Sequence, residues 1–175
     1  MKIYTQIKLT FILLISFALS SPLMAETTIY LARHAEKMAI GNNPELTEIG
    51  QSRANNIAQQ LSNTGITHIF STDYKRTLQT ATPLAQKLNL QIQSYNPARL
   101  VAFAQQLKTI EGKILVIGHS NTTPELTQLL SGQQVNKINE NDYDDLFQVI
   151  INQKKAVLNI YKTTSKNSTK SATTR

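Results

Sequence analysis

The sequence predicts an α/β protein, a three-layer sandwich with a mostly parallel central sheet, helices on both faces and a hairpin at the C-terminal edge. Short apolar runs alternate with segments of helical periodicity along most of the chain. Residues 113–117 are rich in β-branched side chains, which is typical of a parallel strand buried on both faces. Residues 145–151 and 156–161, separated by a polar turn, predict the edge hairpin.

The first predicted strand, residues 29–32, ends abruptly in charged side chains. Arg33 and His34 follow it directly. In open α/β sheets ligands bind outside the carboxyl ends of the parallel strands, so both side chains are expected at a substrate site, with His34 facing solvent. Taken alone, the pair is equally compatible with a site and with a solvated strand end followed by a charged loop.

Two helices are predicted to pack on the sheet, on either side of a second strand at residues 66–70. The first has Thr47 as its N-cap and Gly65 at its end. The apolar stripes of the two helices are Ile49, Ala54, Ile57, Ala58 and Leu61, and Tyr74, Leu78, Ala81, Leu84, Ala85 and Leu88. Arg76 lies off the second stripe in the first helical turn, where it can reach over the strand ends. The alternative is a surface arginine on an amphipathic helix.

The rest of the sheet is predicted from a short strand at residues 90–93 and the buried strand at residues 113–117. A third helix is expected between them at residues 98–110, with Leu100, Val101, Ala104 and Leu107 as its apolar positions. His119 follows the buried strand and precedes a helix that runs to Leu130, a position that favours anions. A packing or capping role is the alternative for His119.

The N-terminus is predicted to be a secretory signal peptide, residues 1–25. Two lysines precede an apolar run at residues 9–19, and a proline and small residues follow. Cleavage is expected after Ala25, with cleavage after Ser20 as the alternative. The run is shorter than the roughly 20 residues of a spanning helix, so the mature protein is expected to be periplasmic or secreted, without stable membrane insertion.

Length and composition suit one globular domain, placed at residues 26–162. The chain has 175 residues, of which 41% are hydrophobic and 17% charged, and it lacks cysteine, so its core rather than disulfides must stabilise it. Its formal charge of +7 includes two lysines of the predicted signal peptide. Residues 163–175 are predicted to be a disordered basic tail. The tail has no interleaved aromatic residues, so nucleic-acid binding is not expected, and the protein is expected to be a monomer.

Three predicted strand ends each contribute a cation or a histidine. Arg33 and His34 follow the first, Arg76 the second and His119 the buried strand. Guanidinium groups bind phosphate oxygens bidentately, and a neutral imidazole can attack phosphorus. Their joint occurrence predicts a site for a phosphoryl group.

These motifs resemble the histidine phosphatase superfamily, whose members are also called phosphoglycerate mutase-like proteins. The resemblance covers residues 28–132 and is carried by Arg33, His34, Leu46, Thr47, Gly50, Ser71, Thr72, Asp73, Arg76, Thr77, Thr80, Ala81, Gly118, His119, Ser120 and Asn121. It implies that His34 is a nucleophile that becomes phosphohistidine, and that Arg33, Arg76 and His119 bind the phosphoryl group. It implies no cofactor, and carboxylates at metal-ligand spacing are absent from the sequence.

The sequence departs from this family in its general acid. Many members supply a carboxylic acid after the second histidine or in the middle of the chain, but Ser120 follows His119 and residues 94–99 contain no acid. Three candidates remain, Glu36, Asp73 and Glu125, of which Glu125 is preferred because it opens a helix beside the site. Leaving groups that need little protonation, such as phosphohistidine, are therefore favoured, as in the small, capless members of the family.

The expected function is that of an exported, metal-independent phosphatase acting on phosphomonoesters or phosphohistidine through a phosphohistidine intermediate. The alternative is a non-catalytic phosphate- or phosphoprotein-binding module of the same fold, and export disfavours a mutase. Residues 35–46 and 89–112 are too few for a cap domain, so the site is expected to be open. An open site suits a phosphorylated small molecule, an envelope glycolipid or a phosphoprotein, with no single metabolite preferred.

Overall fold

The structure, a computed structural model, describes residues 26–152 and 155–163. The predicted signal peptide and residues 164–175 of the predicted tail lie outside the described residues. Thr163, the first residue of that tail, is buried and packed: its carbonyl oxygen accepts a hydrogen bond from the Arg53 guanidinium. The packed domain therefore reaches at least Thr163. Within the described ranges, no helix is long and apolar enough to cross a membrane.

The described residues contain a six-stranded sheet and four helices. The strands are β1 (Thr27–Arg33), β2 (Ile66–Ser71), β3 (Ile92–Ser94), β4 (Gly112–Gly118), β5 (Asp145–Asn152) and β6 (Lys155–Lys162), and the helices are α1 (Glu48–Leu61), α2 (Lys75–Leu88), α3 (Leu100–Leu107) and α4 (Thr122–Ser131). The sheet order is β3-β2-β4-β1-β5-β6. The first four strands in this order are parallel, and the hairpin β5-β6 is antiparallel at one edge, which confirms the predicted fold class.

The core has two layers, one on each face of the sheet. Alternate residues of β1 point to opposite faces, so Tyr30 packs with α1 and α2 while Ile29 packs with α3 and α4. In β4, Ile114 and Val116 face α3 and α4, whereas Leu115 and Ile117 face α1 and α2. All four side chains are buried. Burial on both faces explains why β4 has no polar alternation in its sequence.

Three apolar residues assigned to buried stripes are exposed instead. Ile49 is 41% exposed, because the buried stripe of α1 runs through Gly50 and Arg53 at helical spacing rather than through Ile49. Tyr74 precedes α2 as its N-cap residue and is 39% exposed, so it does not belong to the helical stripe. Val101 is exposed on α3, which spans eight residues rather than the thirteen predicted.

The start of α1 presses against the loop that follows β1. Thr47 caps the helix as predicted, its hydroxyl accepting from the Gly50 N–H at 3.1 Å, and its own N–H donates to the Glu36 carbonyl oxygen at 2.9 Å. A Cβ added at Gly50 would lie 2.1 Å from that same oxygen. The close approach fixes the loop that carries the charged residues after β1.

Gly50→Ala is expected to destabilise the protein by about 2–4 kcal/mol, because the new methyl group forces α1 away from Glu36. In an unobstructed helix the same change would stabilise by roughly 0.5–1 kcal/mol. Urea unfolding measures the difference, and Gln51→Ala, an exposed change in the same turn, is the control. A Gly50→Ala variant as stable as the wild type would contradict the close contact.

Candidate active site

The sheet brings the predicted site residues together at the carboxyl ends of its central strands. Arg33 ends β1 and pairs with Gly118, the last residue of β4. The His34 N–H donates to the Gly118 carbonyl at 2.9 Å, so His34 and His119 leave adjacent strands side by side. Arg76, in the first turn of α2, reaches the same place from β2.

All four side chains line one cavity of about 460 Å³. The other lining residues are Lys37, Tyr74, Pro97, Ala98, Ser120, Asn121, Thr122 and Glu140. The floor is buried, whereas the rim includes the exposed residues Ala98, Asn121 and Glu140. The cavity is therefore a pit that opens to solvent.

His34 forms the floor and is 3% exposed, so the prediction that it faces solvent is wrong. Its Nδ1 donates to the Ala35 carbonyl oxygen at 2.8 Å, which leaves Nε2 with a free lone pair. Burial, and then the positive charges of Arg33, Arg76 and His119, lower the pKa of His34 to about 3 against the opposing effect of the Ala35 hydrogen bond. At neutral pH the ring is uncharged and suited to nucleophilic attack.

His119 stands opposite, its ring centroid 5.5 Å from that of His34. Its Nε2 donates to the Thr72 hydroxyl at 3.0 Å, and Arg76 Nη2 lies 3.4 Å from its Nδ1. Burial, and then the charges of Arg76 and Arg33, lower the pKa of His119 to about 4. An anion between the rings would offset those charges, so His119 can then take up a proton and donate from Nδ1.

Arg33 is clamped by the segment that precedes β5. It is 2% exposed, and its Nη1 donates to the carbonyl oxygens of Asn139, Glu140 and Asp142 at 2.8–3.0 Å. Its Nη2 donates to the Glu140 carboxylate at 3.1 Å, and its guanidinium carbon lies 4.2 Å from the centroid of the Tyr143 ring. These contacts fix the guanidinium, and among the described residues its Nε is the nitrogen that makes no hydrogen bond to the protein.

Two buried donors on residues that line this cavity have no protein acceptor among the described residues. They are Arg33 Nε and Arg76 Nε. Leaving a buried donor unpaired costs about 1–3 kcal/mol, so such donors indicate a ligand that accepts from them. Arg76 is also held by stacking, its guanidinium carbon 4.5 Å from the Tyr74 ring centroid. Two fixed guanidinium donors beside a neutral histidine suit a phosphoryl group.

The structure places none of the three predicted acid candidates in the cavity lining. Glu36 forms an ion pair with Arg53, with an oxygen–nitrogen distance of 2.6 Å, and supports the loop after β1 from behind. Asp73 is exposed, and Glu125 is exposed on α4 beside two neighbouring grooves. Lys75, adjacent to Arg76, pairs with Glu45 at 2.9 Å.

Sequence reasoning missed Tyr74, Glu140 and Tyr143 as cavity residues or arginine supports. Tyr74 was assigned to a core stripe because its spacing from Leu78 and Ala81 is helical. Glu140 and Tyr143 lie in a polar stretch before the hairpin, more than 100 positions from the arginine they contact. The feature of the sequence that could have identified Glu140 and Tyr143 is the cluster of acidic and aromatic residues in that loop.

The low histidine pKa values predict that stability falls as the pH drops from 6.5 towards 5. In this window the unfolded chain binds protons that the folded His34 and His119 exclude, so the folded state is fully favoured only above about pH 6.5. The expected slope is up to about 1.4 kcal/mol per pH unit for each histidine. Urea unfolding at several pH values measures it. The double variant His34→Asn, His119→Asn should lose this dependence of stability on pH. An unchanged slope in that variant would contradict the assignment of the low pKa values to these two histidines.

Fold and site together define an α/β protein with a cavity lined by two arginines and a neutral, buried histidine. A family model described as the histidine phosphatase superfamily, branch 1, matches residues 29–97. Over this segment, 69 of its 175 residues, the chain is similar to members of the histidine phosphatase superfamily.

Similar proteins include the probable phosphoglycerate mutases GpmB of Yersinia pestis (strain Pestoides F) and Yersinia pseudotuberculosis serotype O:1b, each 41% identical over 69 residues. The match covers 35% of this chain and 32% of each relative, so the chain spans about a third of the length of the curated relatives it matches.

Solved structures with the same fold include the protein histidine phosphatase SixA complexed with tungstate, with a TM-score of 0.65 and 17% identity over 77% of this chain and 96% of that one. A putative alpha-ribazole-5'-P phosphatase from Escherichia coli has a TM-score of 0.64 and 16% identity over 78% and 96% of the two chains. At sequence identities of 16% and 17%, these comparisons show that the proteins share a fold.

Proposed function

We propose that this protein is a phosphatase that hydrolyses phosphomonoesters or phosphohistidine through a covalent intermediate on His34. The observation that carries the proposal is that one cavity is lined by two arginines whose buried Nε donors are unpartnered among the described residues and by a neutral histidine whose Nε2 is free. Phosphatase and mutase names among the relatives and structural neighbours support chemistry of this type.

In the proposed reaction, His34 Nε2 attacks phosphorus while the bond to the leaving oxygen breaks. Arg33 and Arg76 donate to the equatorial oxygens, and His119 donates once the anion has raised its proton affinity. Water then attacks the phosphohistidine, releases phosphate and restores His34. The fixed donors lower the barrier because they need little reorganisation as charge develops.

We propose that no metal takes part, since the arginines neutralise the charge of the phosphoryl group. Among the described residues, no group of three or more histidine, cysteine, aspartate or glutamate side chains is placed to hold a metal ion.

We propose a substrate that displays its phosphate at the cavity and leaves its remainder outside. The exposed rim supports this, as does the loop from Lys37 to Ile40, in which Lys37 lines the cavity and Met38 and Ile40 are exposed. A phosphorylated small molecule, an envelope glycolipid or a phosphoprotein would fit this description. The predicted signal peptide supports a periplasmic or secreted protein, and we propose that it acts as a monomer.

A mutase is the second candidate, because the Yersinia relatives are named as probable phosphoglycerate mutases. A mutase moves the phosphoryl group between positions of one molecule, whereas a phosphatase releases it to water. Measuring phosphate release and isomer formation from a phosphoglycerate in the same reaction separates the two.

The purified protein is expected to hydrolyse p-nitrophenyl phosphate and to keep its rate, within about twofold, in excess chelator, since the arginines supply the positive charge. Release of p-nitrophenol between pH 5 and 8 is the measurement. Loss of activity on chelation that zinc or magnesium restores would contradict the mechanism. Phosphate binding with no turnover at any of these pH values would instead indicate a binding module.

A further inference from the structure

We infer that Glu140 is the acid–base residue of this site, protonating the leaving oxygen and later accepting a proton from the attacking water. The inference rests on the proposed phosphatase function. Glu140 supplies the one carboxyl group among the described residues that line the cavity.

The Glu140 carboxylate is held on both sides at the mouth of the cavity. One oxygen lies 3.1 Å from Arg33 Nη2, and the other accepts from the Ser120 hydroxyl at 3.0 Å. Arg33 precedes His34 and Ser120 follows His119, so the carboxylate spans the two chain segments that carry the histidines. Its side chain is 79% exposed, which keeps it in contact with bulk water as a source and sink of protons.

In-line displacement places this carboxylate on the side of the leaving group. His34 attacks from the buried floor, so the leaving oxygen must point away from the floor, towards the mouth. Pro97 and Ala98, which line the cavity from the segment after β3, carry no titratable side chain. Glu140 is therefore the carboxyl group placed for proton transfer to that oxygen.

The proton balance closes over one cycle. In the first step the Nε2–P bond forms, the P–O bond breaks and the protonated carboxyl gives its proton to the leaving oxygen. In the second step a water O–P bond forms, the N–P bond breaks and the carboxylate takes the proton from water. The proton given to the leaving oxygen in the first step is replaced from water in the second, so Glu140 ends the cycle protonated, as it began.

The same loop also clamps Arg33, but it does so largely through backbone carbonyl groups. Glu140→Gln keeps that backbone and an amide oxygen able to accept from Ser120 or Arg33, while it removes the ability to transfer a proton. This variant therefore separates proton transfer from the positioning of Arg33.

The experiment compares phosphorylation of the enzyme by two substrates in single turnover. p-Nitrophenyl phosphate has a leaving group that needs little protonation, whereas glycerol phosphate has an alkoxide leaving group that needs it. Glu140→Gln is expected to leave the rate of phosphorylation by p-nitrophenyl phosphate within about threefold of the wild-type rate. It is expected to lower the rate of phosphorylation by glycerol phosphate by at least ~100-fold. Hydrolysis of the labelled enzyme should also slow by at least ~10-fold. Glu125→Gln, at the predicted acid outside the cavity, is the matched control and should leave all three rates unchanged.

Each other outcome counts against the inference. Equal losses with both substrates would assign Glu140 to positioning Arg33, and unchanged rates would show that the carboxyl group takes no part. The wild-type enzyme provides the separate test of the proposed function, because labelling by p-nitrophenyl phosphate requires no general acid. If the wild type is not labelled by either substrate, the phosphatase mechanism fails and the role of Glu140 fails with it.

Discussion

His34→Asn is expected to lower turnover by at least about 10⁴-fold and to abolish acid-labile phosphate labelling, because it removes the proposed nucleophile of the first step, which is also the leaving group of the second. Asn is preferred to Ala as the test. His34 is buried on the cavity floor, and truncation to Ala would leave a void that costs stability as well as activity. Phosphate release and incorporation of labelled phosphate measure the two effects.

The matched control is His68→Asn, on β2 and outside the cavity lining. It should retain both turnover and labelling. Comparison of the thermal unfolding midpoints shows whether His34→Asn has kept its fold. Labelling that survives in His34→Asn but disappears in His119→Asn would reverse the roles of the two histidines.

The positions of the main site residues were predictable because they depend on local sequence. A charged or glycine-containing segment directly after an apolar run of about five residues marks the carboxyl end of a strand. Parallel strands bring those ends together at one edge of the sheet. Arg33, His34 and His119 follow this rule. Arg76 also follows it, because the first turn of a helix after a strand lies at the same edge of the sheet.

The support of the arginines was not predictable in the same way. Backbone carbonyl groups clamp Arg33 from positions 106 to 109 residues away, and carbonyl groups leave no mark in a sequence. Burial of His34 was missed for a related reason. Its ring is covered by side chains from separate segments, among them Tyr143, whose ring centroid lies 6.1 Å from that of His34. Contacts of this kind depend on the tertiary fold rather than on periodicity.

The environment of Arg76 shows how a charged group that suits anion binding can lower the stability of the folded protein. Burial, and then repulsion from Arg33, lower the pKa of Arg76, although the Tyr74 oxygen acts in the opposite direction. Arg76 therefore lies in an environment that disfavours its charge until an anion binds. A folded protein that keeps such a group retains an unfavourable arrangement, which the phosphoryl group of the proposed substrate would relieve.

Arg76→Ala is accordingly expected to lower kcat/KM for p-nitrophenyl phosphate by about 10²–10³-fold while leaving the thermal midpoint unchanged or raised. The loss is expected because, in the proposed reaction, Arg76 donates to charge that develops on the phosphoryl oxygens. Arg76→Lys should recover little of the activity, since an ammonium group keeps the charge but lacks the buried Nε donor and the planar face that stacks on Tyr74.

Arg99→Lys is the control for the lysine substitution, because Arg99 is exposed and lies outside the cavity lining. It should leave kcat/KM unchanged. Wild-type kcat/KM in Arg76→Lys would show that the site needs only positive charge, and the argument from the fixed Nε donor would then be wrong. A kcat/KM loss accompanied by a lower midpoint in Arg76→Ala would instead show that Arg76 supports the fold. The expected pairing of lost activity with retained stability is the result that identifies Arg76 as a binding group for the phosphoryl oxygens.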